Sequence, residues 1–245
     1  MRDVCNIVAW RKAAGCVSML ALASAALLVG GCATAPPRET FSLEVGDLLF
    51  QDLDGSPLCD AIEKVTHGFR GADVSHVGLV SRVAEDETVI IEAVSEGVRE
   101  TSLDEFLGRS RDGAGRPKVF VGRLRPRYRR LAPEAAAAAR SLLGRPYDSA
   151  FAINNDSFYC SELVYESFRQ ANGAVPFFPL APMTFIDPDI GHTFPAWLDY
   201  YAKLDAPIPE GEPGINPGGL SCSPRIRIIH AYGNPSGWRG ETLPR

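Results

Sequence analysis

The sequence predicts an α+β fold, with a hairpin of two strands and a later helix that begins at a cysteine. Residues 74–83 and 88–94 are rich in β-branched side chains, and the four residues between them suit a hairpin turn. Cys160 lies where a later helix begins, because apolar residues recur after it at helical spacing. A hairpin of this kind pairs its two strands antiparallel.

The other elements are predicted from the spacing of apolar residues and from the residues that end helices and strands. Strands are predicted at residues 47–50, 118–124 and 225–229, and helices at residues 57–66, 103–107, 133–143 and 195–204. The Cys160 helix is predicted to take its cap from residues 154–157 and to direct Leu163, Val164 and Phe168 into the core. From residue 176 onward, dense prolines and glycines predict an irregular tail.

The first residues have the pattern of an export signal rather than of a folded element. A basic start precedes an apolar stretch at residues 17–29, which is shorter than the roughly 18–20 residues needed to span a bilayer. Residues 28–32 resemble a bacterial lipobox that ends at Cys32, so we expect Cys32 to be lipidated. An ordinary signal peptide with an incidental cysteine, or an uncleaved anchor, is the alternative. Ala33 after the cysteine is typical of an outer-membrane destination facing the periplasm.

The predicted organisation is therefore a lipoprotein signal peptide at residues 1–31, a lipidated N-terminus and tether at 32–44, and one folded domain at 45–245 that includes the irregular tail. The whole chain carries a formal charge of −5, and removal of residues 1–31 leaves −7. An acidic chain of this kind is a poor nucleic-acid binder. The arginines from Arg123 to Arg130 are interpreted as a charged surface, with a headgroup-binding patch as the alternative.

Four cysteines remain after the predicted cleavage. If Cys32 is lipidated, the other three cannot all pair with one another, which leaves at least one free thiol. A disulfide between Cys59 and Cys222 would leave Cys160 free, and separate thiols at Cys59 and Cys222 are the alternative.

Side-chain parity in the hairpin groups His76 with an acid. Strand residues two apart share a face, so His76 and Gly78 share one face and Glu92 lies on one face of the next strand. A turn centred on Glu85 places Glu92 opposite Gly78 and diagonal to His76, within reach of a long side chain. The alternatives are a turn centred one residue later, which separates the pair, and an odd shift in register, which puts the two residues on opposite faces. Gly78 would leave room for that contact. A nucleophile, a base and an orienting group form the arrangement of a cysteine hydrolase, here Cys160, His76 and Glu92.

Five short motifs occur in an order that resembles one family. They are residues 46–50, 75–78, 92–93, 144–148 and 159–164, and together they are similar to the YiiX/YebB-like hydrolases, permuted papain-like members of the NlpC-type superfamily. The histidine precedes the cysteine, whereas papain-type enzymes have the reverse order. The resemblance implies a circularly permuted papain-like α+β fold. In that fold the helix that starts at Cys160 packs on an antiparallel sheet, and His76 and Glu92 lie on adjacent strands.

Several further residues are candidates for the substrate side of the site. Tyr147, Tyr159 and Ser75 are candidates for contacts with substrate or oxyanion, with a structural tyrosine as the alternative reading of Tyr147. Asp148 is also expected at the site. Three other histidines, His67, His192 and His230, match no zinc spacing, so we predict no metal, and the chemistry requires no cofactor.

We therefore expect acyl transfer to Cys160 followed by hydrolysis, acting on peptidoglycan peptides or related acyl-amides at the bacterial envelope. Two alternatives stay open. The first is a lipid acyl hydrolase or acyltransferase of the same fold, which a wide apolar groove beside Cys160 would indicate. The second is a non-enzymatic envelope binding lipoprotein, which an inert Cys160 would indicate.

Overall fold

The computed structural model describes residues 41–239, so the predicted signal peptide, Cys32 and most of the tether lie outside the described residues. The described chain has eight strands: β1 (Leu48–Gln51), β2 (His76–Val83), β3 (Thr88–Val94), β4 (Gly97–Ser102), β5 (Val119–Leu124), β6 (Ala181–Pro182), β7 (Pro213–Gly214) and β8 (Ile226–Ala231). Its α-helices are α1 (Pro57–Val65), α2 (Leu103–Gly108), α3 (Ala132–Ser141), α4 (Cys160–Ala171), α5 (Pro195–Leu204) and α6 (Pro217–Ser221). Within residues 41–239 no helix is long and apolar enough to cross a bilayer.

Six strands form one antiparallel sheet in the order β4-β3-β2-β1-β5-β8, and β6 pairs separately with β7. Helices α3 and α4 pack together and against β2. Leu163, Val164 and Phe168 of α4 are buried in the core that this face forms, as predicted. A smaller core on the opposite face contains Val80 and Phe106, so the sheet is covered on both sides.

The register of the β2–β3 hairpin agrees with the prediction. Leu79 pairs with Ile91, and the same register continued toward the start of β2 places Glu92 opposite Gly78 and diagonal to His76. The α+β class is confirmed, and the sheet that holds the predicted base and acid is antiparallel.

Two details of the hairpin differ from the sequence expectation. The pairing shifts by one residue between Val80 and Arg82, which is a β-bulge that increases local twist. Gly78 does not leave space for the contact between histidine and glutamate. A Cβ there would lie 2.5 Å from a methyl carbon of Ile90 and 2.9 Å from the ring of Phe106, so those two side chains occupy the space.

The cap of α4 also differs. The N-cap is Tyr159, whose backbone N–H donates to the Glu162 carboxylate at 3.4 Å. Residues 154–157 belong instead to the preceding loop, where Asp148 accepts the Asn155 amide at 3.1 Å and two backbone N–H groups. The prediction of residues 154–157 as the cap was wrong because their polar groups are engaged inside that loop.

A third apolar cluster joins α1 to α5. Ala61 of α1 is buried with Phe185, Trp197 and Tyr201, and these aromatic rings contact one another edge-on or tilted. The chain after residue 176, predicted as an irregular tail, therefore supplies a packed wall beside the sheet. No disulfide joins the cysteines of residues 41–239: Cys59 and Cys160 are buried and Cys222 is exposed.

Candidate active site

The predicted nucleophile, base and acid meet at one end of the sheet. His76 is the first residue of β2, Glu92 lies on β3, and Cys160 is the first residue of α4. Helix α4 packs against both strands, which brings the start of the helix to the side chains of the hairpin. His76 forms hydrogen bonds with both Cys160 and Glu92. The packing of one helix on one hairpin thus assembles residues that are 84 positions apart in sequence.

The imidazole of His76 is buried and oriented. Its Nε2 lies 2.7 Å from Oε2 of Glu92, which leaves Nδ1 for the thiol of Cys160. Burial opposes the charge on the ring, but the hydrogen bonds with Cys160 and Glu92 outweigh it and raise the pKa of His76 to about 9. The site therefore favours the imidazolium at neutral pH.

Glu92 is fully buried and has more partners than the imidazole. Thr101 donates its hydroxyl to Oε1 at 2.5 Å, and Arg109 donates both terminal nitrogens, one of them to Oε2 at 2.6 Å. Burial disfavours the carboxylate, but the hydrogen bonds from His76 and Arg109 outweigh it and lower the pKa of Glu92. The acid is thereby held ionised and fixed in position.

Arg109 and Thr101 were not found by the sequence reasoning. Arg109 caps the end of α2, 17 residues after Glu92, and no motif links the two. Thr101 could have been found, because it lies on β4 and shares a face with Arg99, the residue paired with Glu92. Extending the hairpin parity by one more strand would have placed it beside the acid.

The nucleophile sits at the N-terminus of α4. The amide of a first helical residue has no partner within its own helix, and it points along the helix dipole toward the site. An amide in this position can donate to an oxyanion that forms on a carbonyl bound at Cys160.

The three other candidates all line the cavity in front of Cys160. The Tyr159 hydroxyl accepts the Ile215 N–H at 3.1 Å, and burial raises the pKa of Tyr159, so the phenol stays protonated. Ser75 is buried, and its hydroxyl accepts the Leu53 N–H at 2.9 Å. Tyr147 is half-buried, with its ring 6.4 Å from that of Phe151.

Asp148 does not line this cavity, because its oxygens organise the loop that precedes α4.

The cavity has a volume of about 480 Å³. Arg109 and His76 are the cationic side chains of its lining, while most of the wall is apolar. The apolar wall comes mainly from α1, the loop before α4 and the α5 region, and it includes Leu58, Ile62, Phe151, Phe178, Phe185 and Trp197. Cys160 and His76 therefore line a wide apolar groove, and Glu92 is buried behind the imidazole.

Residues 42–230 match the family described as "Permuted papain-like amidase enzyme, YaeF/YiiX, C92 family". The chain belongs to this family. Membership confirms the resemblance drawn from the five motifs and identifies the chain as a papain-like hydrolase of the amidase type with a circularly permuted fold.

Two relatives illustrate the family. A protein named YiiX from Escherichia coli K12, itself uncharacterized, is 28% identical over 147 residues, which cover 60% of this chain and 68% of the relative. A crystal structure of YiiX from Escherichia coli O157:H7 superposes with a TM-score of 0.60 at 24% identity, covering 78% of this chain and 98% of the other. That structural likeness supports the same fold.

The crystallised YiiX is described as a metalloprotein. Within residues 41–239 of the present chain, no group of three or more His, Cys, Asp or Glu side chains is arranged to hold a metal ion.

Proposed function

We propose that this protein is a cysteine amidase in which Cys160 is the nucleophile, His76 the general base and acid, and Glu92 the residue that orients the imidazole. The observation that carries the proposal is the chain of hydrogen bonds from Cys160 through His76 to Glu92, which ends in an ionised, buried carboxylate. Family membership supports the amidase class.

In the first half of the reaction, the Cys160 thiol gives its proton to Nδ1 of His76, and the sulfur attacks the carbonyl carbon of the amide. A pKa near 9 lets the imidazole retain that proton at neutral pH. The backbone N–H of Cys160 stabilises the oxyanion. His76 then returns the proton to the leaving nitrogen, the carbon–nitrogen bond breaks, and a thioester to Cys160 remains.

In the second half, water gives a proton to His76 and its oxygen attacks the thioester carbon. The carbon–sulfur bond breaks, the carboxylic acid leaves, and the proton returns to the Cys160 sulfur. Glu92 holds one ring orientation through both halves, which is the function of the third member of a triad. No step uses a cofactor.

The substrate we propose is an amide at the bacterial envelope. Peptidoglycan peptides are one such substrate, supported by the predicted lipid anchor at Cys32, which would tether the enzyme to the outer membrane facing the periplasm. The shape and chemistry of the cavity support a second candidate, an acyl-amide or a lipid acyl ester. A cavity of about 480 Å³ with a mainly apolar wall beside Cys160 suits a hydrocarbon chain better than a polar stem peptide.

Mass spectrometry of the protein and of its proteolytic peptides tests both the mechanism and the substrate. The protein is incubated with muropeptides in one arm and with N-acyl amino acids and phospholipids in the other. We expect an acyl mass increment on the peptide that contains Cys160. The control is a Cys222→Ser variant, because the Cys222 thiol also lines the cavity. This variant should form the same adduct, which shows that Cys222 does not carry it.

The two arms separate the substrate classes. An adduct only with muropeptides would establish the peptide substrate, and an adduct only with acyl compounds would establish the lipid-type substrate. An unreactive Cys160 that also ignores a thiol-specific probe would contradict the proposal and would indicate a binding protein.

A further inference from the structure

Six arginines lie at one end of the sheet, where β5 ends and β8 begins. His76 of β2 and Val119 of β5 both pair with Gln51 of β1, so the first residue of β5 lies at the same end of the sheet as His76. The arginines follow the last residue of β5 and therefore lie at the opposite end. The Arg125 N–H donates to the Arg225 carbonyl at 2.9 Å, and Arg227 pairs with Arg123 across β5 and β8. The set named here the arginine surface consists of Arg125, Arg127, Arg129, Arg130, Arg225 and Arg227.

These charges have no acidic partners. Among residues 41–239 no ion pair involves any of the six, whereas the neighbouring Arg123 is paired with Glu44 and Asp47. Five of the six are exposed, and Arg225 is half-buried. The whole chain has a net charge of −5, so the surface is a concentration of uncompensated positive charge on an acidic protein.

The arginine surface lies next to the start of the described chain. The ring of Phe41 stacks on His230 of β8 at 3.9 Å, and the Ser42 carbonyl accepts from Arg123 at 2.9 Å. The tether from Cys32 therefore enters the fold beside β8. Residues 33–40 can span at most on the order of 30 Å, so an anchored N-terminus would keep the surface close to a bilayer.

The same surface adjoins the wall of the cavity. Cys222, Ser223 and Pro224 line the cavity, and Arg225 follows directly in sequence. The Arg225 guanidinium lies 4.9 Å from the ring centre of Phe177, next to the cavity residue Phe178. The arginine surface thus lies at the end of the sheet opposite His76 and follows cavity residues 222–224 directly in sequence.

We propose that the arginine surface binds the phosphate headgroups of anionic phospholipids in a membrane. Planar guanidinium groups match phosphate oxygens in pairs, and unpaired arginines near an anionic bilayer are attracted to it. Nucleic acid is the weaker partner. The rings within the surface, Tyr128 and Phe177, pack against each other at 5.3 Å and lie beneath guanidinium groups, so they offer no free face for a base.

Hydrogen–deuterium exchange of the full-length protein tests the proposal. Backbone amides of residues 125–131 and 225–229 are followed with vesicles of phosphatidylcholine alone and with vesicles of equal parts phosphatidylcholine and phosphatidylglycerol. We expect protection only with phosphatidylglycerol, and its loss at high salt, because exposed charges are screened there. Amide protection at residues 125–131 and 225–229 distinguishes the two kinds of vesicle even when the N-terminus inserts into both.

Charge variants make the test specific. Substituting Arg129, Arg130 and Arg227 by Gln should raise the lipid concentration for half-maximal protection by on the order of 100-fold, at about fivefold per arginine. The matched control substitutes Arg82, Arg111 and Arg145 by Gln, which changes the net charge equally on other surfaces and should leave protection intact. Circular dichroism confirms that both variants fold.

Three results would overturn the proposal. They are equal protection by phosphatidylcholine alone, equal losses in the two triple variants, and stronger protection by a single-stranded oligonucleotide than by the anionic vesicles.

Discussion

At the scale of the residue, the environment of Glu92 explains why an acid can orient His76 so deep in the protein. A buried carboxylate is costly unless it is paired and hydrogen-bonded. Three side chains, His76, Thr101 and Arg109, satisfy it, and Arg109 also lines the cavity. Glu92 can therefore stay ionised beside an imidazolium without drawing its proton away.

The nucleophile is tested by a single substitution. Cys160→Ser should abolish hydrolysis and leave the fold intact, because a serine hydroxyl is far less ionised and less nucleophilic than a thiol. Hydrolysis of the substrate found by mass spectrometry is the measurement. Cys59→Ser and Cys222→Ser should retain activity. Full activity of Cys160→Ser would disprove its assignment.

His76 and Glu92 should behave as a unit. His76→Ala should lower kcat/KM by roughly 10²- to 10⁴-fold, as loss of a general base does, and Glu92→Gln should cost less because it keeps the shape and loses the charge. In the double variant the losses should not add, because Glu92 acts through the imidazole. Independent, additive losses would contradict the triad.

Arg109 should control the ionisation of Glu92. Arg109→Gln removes a charge that holds the pKa of Glu92 down, so that pKa should rise by about one unit or more. Carboxyl NMR titration of Glu92 measures the change directly. Arg109→Lys, which keeps the charge, should restore much of the shift. If Gln and Lys give the same titration, Arg109 has only a packing role.

At the scale of the element, local patterns predicted most of the strands and helices but not how they are capped or distorted. Parity within one hairpin was enough to group His76 with Glu92, because both strands and the turn are close in sequence. The bulge after Val80 was not predictable, since nothing in the local pattern requires it. Thr101 was missed because β4 was not recognised as a strand, although its pairing continues the same hairpin.

The cavity wall was beyond prediction for another reason. It depends on contacts between α1 and α5, which are more than 100 residues apart, and on aromatic packing within a stretch dense in proline. Ring-to-ring contacts of this kind leave no periodic signal in sequence. The sequence therefore grouped Cys160, His76 and Glu92 and did not predict the cavity wall beside them.

Packing beneath the hairpin can be tested at Gly78. Gly78→Ala would force its methyl against Ile90 and Phe106, so we expect a loss of about 1–3 kcal/mol in the free energy of unfolding. Activity should also fall, because Phe106 contacts the imidazole of His76. Gly108→Ala is the control, since a Cβ there meets nothing within 4 Å. Urea denaturation compares the two, and equal stabilities would show that the hairpin tolerates the methyl group.

At the scale of the whole molecule, several buried groups make stability depend on pH in one direction. Burial raises the pKa of Glu63 and of Glu162 to about 8, and the pKa of His76 is raised to about 9. A group whose pKa is raised in the folded state stabilises the fold at pH values below its unfolded-state pKa. That stabilisation is lost as the pH rises through the folded-state pKa. Glu92, whose pKa is lowered, acts in the opposite sense and only in acid.

We therefore expect the free energy of unfolding to fall by on the order of several kcal/mol between about pH 5 and about pH 9. Urea denaturation across this range is the measurement. Glu63→Gln should flatten the profile, because it removes one of the groups that must ionise while buried. A stability that rises with pH over this interval would contradict the assignment of these groups.

The predicted lipid anchor at Cys32 can be tested by one substitution. Cys32→Ser should move the protein from the membrane fraction to a soluble or uncleaved form, because several acyl chains at about 0.8 kcal/mol per buried CH₂ anchor stably. Fractionation and the mass of the mature protein are the measurements. A mature wild-type protein without a lipid increment would show that Cys32 is not the attachment site.

The cavity that faces Cys160 is walled by both ends of the described chain, from Leu53 and Ile62 near its start to Pro224 near its end. A ribosome delivers these parts in order, so the reactive thiol exists before the last part of its enclosure has been synthesised. Without that segment the groove beside Cys160 would lack part of its wall. A chain that ends before residue 222 would therefore keep Cys160, His76 and Glu92 and lose the side of the enclosure that residues 222–224 form.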